Sequence, residues 1–474
     1  MDLERFNNIL ISNCKLNYSL PVLAGVSGGP DSLCMLDLLK RSGIPTYVVH
    51  INHQLREEAD AEADKVKAYC DLKQLDCFVI KGDIKEMVKQ ERLSIEEAAR
   101  SFRYTKLFEY AEKYQAQAVL VAHNAEDQVE TVLMHFLRGS GTRGLRGMSM
   151  YSLPHPWSDR IPLVRPLLTT SREEVLNYCE EQHLEPSHDS SNQDTHFFRN
   201  RIRVELIPQL QSYNPEIKQR IKNLAEIVKV EDEFFTQQSM HAWQACILHE
   251  GSSYVCLDLS RFLQLHPALR KRIFLLATQK IAPRLRDLDF SAMERAISFA
   301  EKKGGRNHLL LLADIRITKA FHRELVISRG DEYLSTSWPQ LCEQNLRRSL
   351  LEGQNEVGNG WWISCRQVEE LRAVSADKSI CNMNGLMLDG AILDTFKPGD
   401  VISPFGLGGK AMKLGNYWTN QGLPEAARKM WPLVRSKNGE VLWVVGMEIS
   451  HHARINADTD LIHELSLIHN PVQA

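Results

Sequence analysis

Short apolar runs of strand length alternate with helix-length segments through the first two hundred residues, and no other feature constrains the fold as much. Residues 21–26 (PVLAGV) form the first run, and DSLCMLDLLK after it has helical periodicity. Residues 45–52 read as a second strand, followed by a polar surface helix from residue 56 to residue 73. A third strand covers 76–81. The helix at 94–114 opens with a capping box, Ser94 with Glu97. A fourth strand covers 117–123, and the helix after it is stopped by Gly139. Strands alternating with helices predict an α/β fold with a doubly wound parallel sheet, which takes its ligands at the carboxyl ends of the strands.

The chain has 474 residues, a length that suggests about three domains. After residue 213 the pattern changes. Asn214 is placed as an N-cap with Pro215 at the first helical position, and the helical pattern runs to about residue 249. The expected organisation is a nucleotide-binding domain at 1–213, a long linker helix at 214–250, a basic and mostly helical domain at 251–350 that ends in β-like stretches, and a small α+β domain at 351–474.

The formal net charge of −3 hides an uneven distribution. Residues 261–329 carry 15 Lys/Arg against 6 Asp/Glu, a net of +9, whereas residues 56–97 carry 8 basic and 12 acidic residues, a net of −4. Such asymmetry suggests a polyanion partner for the basic part, although a solvated basic face would look the same by charge alone. The ten cysteines are scattered with no CxxC, which argues against a zinc ribbon, an iron–sulfur site or a redox pair and points to a reducing cytoplasm. No apolar stretch of membrane-spanning length occurs, and residues 1–10 carry early acids rather than an apolar signal core, so no membrane partner is expected.

The chemistry starts at Ser27-Gly28-Gly29-Pro30-Asp31-Ser32, between the first strand and its helix. The glycines let backbone N–H groups approach an anion, Pro30 starts the helix, and the helix N-terminus favours a phosphate. Ser27 and Ser32 can donate hydroxyls. Asp31 beside a phosphate implies a bridging Mg²⁺ and hence a metal–pyrophosphate complex. A Walker A lysine is missing. A turn capped by serines is the plain alternative; the full six-residue string in this setting favours nucleotide binding.

His123, Asp127 and Glu130 fall at i, i+4 and i+7, on one face of the helix after the fourth strand. A histidine with two carboxylates could bind a metal, move protons or hold a cationic amine; the carboxylates could also simply complement the helix dipole. Arg100 and Arg103 share a helix face, where a guanidinium near ATP would stabilise charge on the α-phosphate and Arg100 could instead pair with Glu96 or Glu97. Residues 138–147 hold four glycines with Arg138, Arg143 and Arg146, a composition suited to a phosphate or a splayed nucleotide and equally to a mobile surface loop. Arg199, Arg201 and Arg203 form a second basic cluster.

The loop string resembles the SGGxDS loop of the N-type ATP pyrophosphatases, which split ATP into AMP and pyrophosphate while adenylating a substrate oxygen. HINHQLR (50–56), SIEEAARSFRY (94–104), AHNAEDQVET (122–131), RGSGTRGLRGM (138–148) and HDSSNQDTHFFRNRIR (188–203) resemble, in order, the tRNA(Ile)-lysidine synthetase family. KPGDVISP and RKMWPLVRSKNGEVLWVVG resemble that family's C-terminal domain, and the likeness is weakest across the basic middle. It implies ATP as co-substrate with Mg²⁺ at Asp31, free L-lysine, and a tRNA(Ile) with a CAU anticodon as the partner; a homodimer is compatible with it. It further implies catalytic roles for Asp31, Arg103, His123 and Asp127, lysine recognition by Asp127 and Glu130, and a substrate side made of Arg138, Arg143, Arg146, Asn192, Arg199, Arg201 and Arg203. The reaction implied joins lysine to C2 of the wobble cytidine through an adenylated intermediate, with tRNA held by the two C-terminal domains. One departure stands out. The family's C-terminal Pro-Gly-Asp is usually followed by arginine, and here Val401 follows Pro398-Gly399-Asp400, so Lys397, Lys410 or Lys413 would have to compensate.

Other readings are a tRNA thiolase, which needs paired cysteines near the loop, and an amidotransferase, which needs a glutaminase domain or a cysteine nucleophile. Cys34 has core-like helical spacing, and neither requirement is met. A nucleotide-gated RNA-binding protein without turnover would have no use for His123, Asp127 and Arg103.

Overall fold

The computed structural model describes residues 1–54, 59–82, 84, 87–88, 94–187, 195, 197–283, 290–303, 308–312, 314–330, 332–343, 347–369, 378–405 and 408–470. Asn192 and Arg56 lie outside the described residues. The chain divides into two compact units, Met1–Phe234 and Phe235–Ala474. Among the described residues, no helix is long and apolar enough to cross a membrane.

In the first unit the strands are β1 (Val22–Gly25), β2 (Thr46–Asn52), β3 (Cys77–Lys81), β4 (Val119–Val121), β5 (Tyr151–Ser152) and β6 (Leu163–Val164). Their order in the sheet is β3-β2-β1-β4-β6-β5. All pairings are parallel apart from β5 on β6. The helices are α1 (Leu3–Ser12), α2 (Pro30–Ser42), α3 (Ala59–Leu72), α4 (Ile95–Lys113), α5 (Ala125–Leu137), α6 (Thr142–Leu145) and α7 (Arg172–Glu181). After α8 (Phe198–Arg201) comes a single π-helical turn, Ile202–Leu206, then α9 (Ile207–Tyr213) and the thirty-residue α10 (Ile217–Cys246).

Residues alternate between the two faces of a strand, so a sheet buried on both sides needs apolar residues at every position. β1 meets this need. Val22 and Ala24 join a cluster with Phe6, Leu10, Leu36, Val66 and Val175 from α1, α2, α3 and α7, while Leu23 joins Tyr104, Leu107 and Phe108 of α4 on the opposite face. All three β1 side chains have no exposed surface, and burial of that kind contributes roughly 1.5–3 kcal/mol for each larger aliphatic. Gly25 closes β1 where α4 comes near: a Cβ there would meet both Leu107 methyls at 3.2 Å.

The ends of the elements follow local chemistry. Ser94 with Glu97, Asn124 with Asp127 and Ser171 with Glu174 make three capping boxes, at the starts of α4, α5 and α7. Gly43, at φ +78°, ends α2 in the left-handed conformation. The order of the sheet reverses between β1 and β4. Crevices at such reversals are where doubly wound sheets take their ligands.

In the second unit, β7 (Ile247–Glu250), β8 (Tyr254–Asp258), β9 (His308–Leu312), β10 (Ile315–Ala320) and β11 (Glu324–Arg329) form an antiparallel sheet in the order β7-β8-β11-β10-β9. α11 (Leu259–Gln264), α12 (Pro267–Ile281) and α13 (Phe290–Glu301) accompany it. The segment expected to be mostly helical thus has more helix than strand, and it also carries a full sheet. Beyond it, among the described residues, are three further antiparallel sheets, of five, four and two strands. Tyr254, Cys256, Ala320 and Val326 share a core with Trp418, Trp431, Leu433 and Val444, so the basic segment and the C-terminal segment are packed together inside this unit.

Candidate active site

The loop between β1 and α2 holds its shape through Ser32. That hydroxyl accepts the N–H groups of Ser27 at 3.2 Å and Gly28 at 3.0 Å, and donates to the Gly29 carbonyl at 3.0 Å. Both backbone donors thereby converge on the Ser32 oxygen, which fixes the turn at the N-terminus of α2, the end of a helix that favours an anion. Gly28 sits at φ +91°, and a Cβ there would lie 3.0 Å from the Val66 side chain, so glycine is required both conformationally and sterically. Gly29 is different: its φ is −73°, and a Cβ would meet only the Ser27 hydroxyl at 3.7 Å. Its role is as the N-cap of α2, with Pro30 at the first helical position.

Asp31 leaves the first turn of α2 and meets the segment after β4. Its carboxylate accepts a hydrogen bond from the Asn124 amide at 2.7 Å and faces the Arg172 guanidinium at 3.5 Å. Asn124 is buried, and its own side-chain oxygen accepts the Asp127 N–H at 3.0 Å while its backbone N–H donates to the Asp127 carboxylate at 2.9 Å. One amide therefore links the start of α5 to the phosphate loop.

Asp127 also takes the Arg199 guanidinium at 2.9 Å and lies 3.5 Å from that of Arg203. Burial pushes the Asp127 carboxyl up, against the pull of Arg199 and the Asn124 N–H, with Glu130 and Asp31 adding to the rise. Glu130 is 1% exposed, and its two oxygens receive Arg199 Nε at 2.7 Å and Arg203 Nε at 2.6 Å. The expectation that Glu130 faces a lysine meets a different arrangement here: the helix turns it inward and two arginines occupy it, which leaves Asp127 as the carboxylate on the cavity. Arg199 and Arg203 are four residues apart across the start of the π turn, and both reach the one Glu130 carboxylate.

His123 opens on the same cavity. Burial holds its imidazole well below the usual range, reinforced by the cations Arg165, Arg199, Arg100 and Arg103, so the ring is neutral near pH 7. Its Nδ1 is buried without a hydrogen-bond partner among the described residues. Arg103 reaches His53 at 3.2 Å. Arg100 lies over the Tyr104 ring at 4.9 Å and the Trp157 ring at 5.7 Å, and those rings stack at 4.2 Å.

These groups surround a cavity of about 810 Å³, a size suited to a nucleotide-sized ligand. Ser27, Gly29, Pro30, Asp31, Ser32, Arg103, His123, Asp127 and Arg203 all line it. The other arginines expected on the substrate side, Arg138, Arg143, Arg146, Arg199 and Arg201, are not among its lining residues. Arg146 is tied to the buried Asp232 at 2.9 Å, which anchors its loop to α10. Arg138 and Arg201 both lie over the Phe198 ring, at 5.8 and 5.5 Å, and Arg143 sits in the short α6. Among the residues given no role from the sequence, His53, Tyr104 and Arg172 also line the cavity and Asn124 helps to build it. His53, Tyr104 and Asn124 lie inside the stretches that carry the family likeness, Asn124 with the Asn-x-x-Asp spacing of a capping box as well, whereas Arg172 lies outside them. Cys34 is fully buried inside α2 and burial pushes its thiol strongly up, the opposite of a reactive thiolate.

In the second unit, part of the basic excess is consumed locally. Arg270 pairs with Glu301 at 2.5 Å, Arg329 with Asp314 at 2.9 Å, Lys271 with Glu294 and Lys280 with Glu250. Val401 is exposed, Asp400 receives Arg435 at 2.5 Å, and Lys397 pairs with the buried Asp394. Lys397 is thus already engaged, and Lys410 and Lys413 are exposed.

Comparison with known proteins matches residues 4–210 to the PP-loop domain family and residues 393–464 to the TilS substrate C-terminal domain family. The tRNA(Ile)-lysidine synthase of Dehalococcoides mccartyi is 28% identical over 449 residues, covering 92% of this chain and 93% of that protein. The tRNA(Ile)-lysidine synthase of Clostridium acetobutylicum is 26% identical over 488 residues, covering 97% and 98%. Among solved structures, the U34-tRNA thiolase NcsA from Methanococcus maripaludis aligns with a TM-score of 0.39 at 20% identity, over 48% of this chain and 79% of that one.

Proposed function

We infer, from a chain that belongs to the tRNA(Ile)-lysidine synthase family of PP-loop enzymes, that it uses ATP to form lysidine in a tRNA. The observation that carries the reading is the meeting of the Ser27–Ser32 loop with His123 and Asp127 around one cavity, where the sheet order reverses. The finer proposal is that the acceptor is the wobble cytidine of a tRNA(Ile) with a CAU anticodon.

The C2 oxygen of that cytidine attacks the α-phosphorus of ATP, the bond to the bridging oxygen breaks, and pyrophosphate leaves. The N-terminal end of α2, held in place by the Ser27–Ser32 loop, receives the departing phosphates. Arg103, on the cavity wall, neutralises charge at the α-phosphate. Mg²⁺ would be held by Asp31. Asp31 lines the cavity, as do Glu62 and Asp127, and one or two such carboxylates plus phosphate oxygens suit this ion; among the described residues no cluster of three ligands forms a protein cage. When bound, the ion would neutralise pyrophosphate charge.

In the second step the ε-amine of lysine attacks C2 and AMP leaves. The amine must lose a proton. His123, neutral at pH 7, or a neighbouring carboxylate such as Asp127, whose carboxyl is pushed up by burial, takes it. Asp127 receives the α-ammonium group, with Glu130 behind it holding Arg199 and Arg203 in place. The tRNA contacts are assigned to Arg138 and Arg201 around Phe198, to Arg143, and to the basic face of the second unit. The Arg146–Asp232 pair supports that loop from behind, and Asn192 completes the substrate side.

The test is incorporation of radiolabelled lysine into an in-vitro transcript of the CAU tRNA(Ile), with ATP and Mg²⁺ and Asp31→Ala as control. Incorporation should require ATP, vanish in Asp31→Ala and be absent when the wobble base is replaced. Pyrophosphate release with some other acceptor, and none with this tRNA, would overturn the lysidine assignment and keep the loop chemistry.

A further inference from the structure

The phosphate loop has no lysine of its own, and its Ser27 and Gly28 N–H groups are already taken by the Ser32 oxygen, so a leaving pyrophosphate meets a helix end and the cations that the fold brings to it. A Mg²⁺ held by Asp31 would balance part of that charge, and a side-chain cation at the loop would balance more. Arg172 is placed to supply it, 141 residues beyond Asp31 in sequence.

Three observations converge on this side chain. Its guanidinium is 3.5 Å from the Asp31 carboxylate, at the mouth of the loop, and the residue lines the cavity together with Ser27, Gly29 and Ser187. The Arg172 side chain is 45% exposed, and its ion-pair partner among the described residues is the Asp31 carboxylate, so its guanidinium can turn donors to a ligand in the cavity. Its backbone is fixed independently of the side chain: the Arg172 N–H donates to the Glu126 carboxylate at 2.8 Å, next to the Ser171–Glu174 capping box that starts α7. The main chain is thus held to the start of α5, while the side chain extends toward the loop from a rigid base.

An arginine that served only to neutralise Asp31 would need neither an open position nor the cavity. Fork-shaped guanidinium donors match phosphate oxygens in pairs, which a point-charge ammonium cannot do. We propose that Arg172 is the pyrophosphate-binding cation of this site, gripping the terminal phosphates of ATP and holding the leaving group. The proposal rests on the ATP-consuming reading above, and it adds the residue that stands in for the missing loop lysine.

The experiment is equilibrium binding of inorganic pyrophosphate and of AMP to the full chain, by calorimetry, with no turnover required. Wild type is compared with Arg172→Ala, Arg172→Lys, Asp31→Asn and the Arg172→Ala/Asp31→Asn double variant. Loss of one charge-assisted contact to phosphate should weaken pyrophosphate binding in Arg172→Ala by roughly tenfold to a hundredfold. AMP binding should stay within about twofold, because AMP lacks the terminal phosphates, and Arg172→Lys should fall between the two. The backbone N–H to Glu126 survives all of these changes, and unchanged melting confirms intact variants.

Two outcomes overturn the proposal. Equal weakening of pyrophosphate and AMP would make Arg172 a structural residue. Recovery of pyrophosphate affinity in the double variant to the level of Asp31→Asn would make it only the neutraliser of Asp31. If wild type fails to transfer lysine to tRNA while Arg172→Ala still loses pyrophosphate selectively, the lysidine reading falls and the assignment of Arg172 stands.

Discussion

Asn124 offers a test of how the two halves of the site are joined. In Asn124→Ala, α5 loses the side-chain cap on the Asp127 N–H, a change that costs about 1 kcal/mol. The same substitution removes the 2.7 Å amide bond to the Asp31 carboxylate, and hydrogen bonds to charged groups contribute about 1.5–3 kcal/mol. Asn124 is only 2% exposed, while Asp31 borders the cavity and can recover part of its bond from water, so the sum of about 2.5–4 kcal/mol is an upper bound. For a unit the size of Met1–Phe234 that is a fall in melting temperature of at most roughly 5–15 °C.

Asn124→Asp separates the two contributions. It keeps the cap and sets a second carboxylate against Asp31, where like charges about 3 Å apart repel by about 5 kcal/mol at an effective dielectric near 20, less what Arg172 offsets. Repulsion raises the folded-state pKa of the pair above the unfolded value near 4. Below about pH 4 both states are protonated and the penalty vanishes; as pH rises from there through the raised folded pKa, the penalty grows to its full size. The assay is urea denaturation between pH 4 and pH 8, following the transition that ATP shifts, since only the ATP-binding unit responds to it. The deficit of Asn124→Asp should widen with pH while that of Asn124→Ala stays flat. A flat deficit for Asn124→Asp, or a loss below about 0.5 kcal/mol in Asn124→Ala, would refute the bridge.

Three further outcomes are expected. Glu130→Gln breaks a buried network whose loss alone would cost about 3–5 kcal/mol, and the partial exposure of Arg199 and Arg203 at 26% and 33% reduces that to about 2–3 kcal/mol. Melting should fall accordingly, and unchanged melting with a raised lysine KM would place Glu130 at the substrate instead. His123 titrates well below 6.5 when folded, whereas the unfolded chain takes up that proton near 6.5; wild-type stability should therefore drop as pH falls from 7 to 5 by at most ~1.4 kcal/mol per pH unit for this group, and His123→Gln should flatten that slope. Superimposable stability curves for the two proteins would refute it. Binding of tRNA through about six phosphate contacts should weaken by about 10³ between 50 and 200 mM salt in a filter-binding titration, and a change below about tenfold would argue against a phosphate-dominated contact.

The catalytic unit was legible wherever a local pattern carried the physics. Among its first four strands, β1 and β4 were readable as unbroken apolar runs because both faces of the sheet are covered there, and β2 and the edge strand β3 by their β-branched and aromatic residues; the observed bounds of β1 to β4 lie within the expected ones. β5 and β6 were not, since two-residue strands have no periodicity to detect. The helix expected from 214 to about 249 runs over Ile217–Cys246 and gives way to β7. In the site, the loop and the His123–Asp127 spacing are local and were visible. The inward turn of Glu130, the Arg146–Asp232 pair and the reach of Arg172 to Asp31 depend on residues 69 to 141 positions apart, for which no short motif exists.

What brings those distant residues together is the handedness of the crossovers. From β1 the chain moves through α2 to β2 and through α3 to β3, and right-handed connections keep α2 and α3 on one face, in the cluster they share with α1 and α7. It then returns past β1 by way of α4, and a right-handed connection running in the opposite direction must lie on the other face, where Tyr104, Leu107 and Phe108 pack on Leu23. The loops after β1 and β4 therefore leave neighbouring strand ends with helices diverging on either side, and the gap between them is the cavity. Residues about a hundred positions apart are obliged to meet there, Asp31 with Asn124 first among them. β6 then extends the sheet beyond β4, and α7 follows it back to the face of α2, packing Val175 and Tyr178 into that cluster and bringing Arg172 at its first turn to the mouth of the loop. The cation that the loop sequence lacks is thus supplied by topology. An insertion between β6 and α7 that leaves both elements intact should preserve it, whereas a shift of α7 by one turn, about 5.4 Å, would remove it.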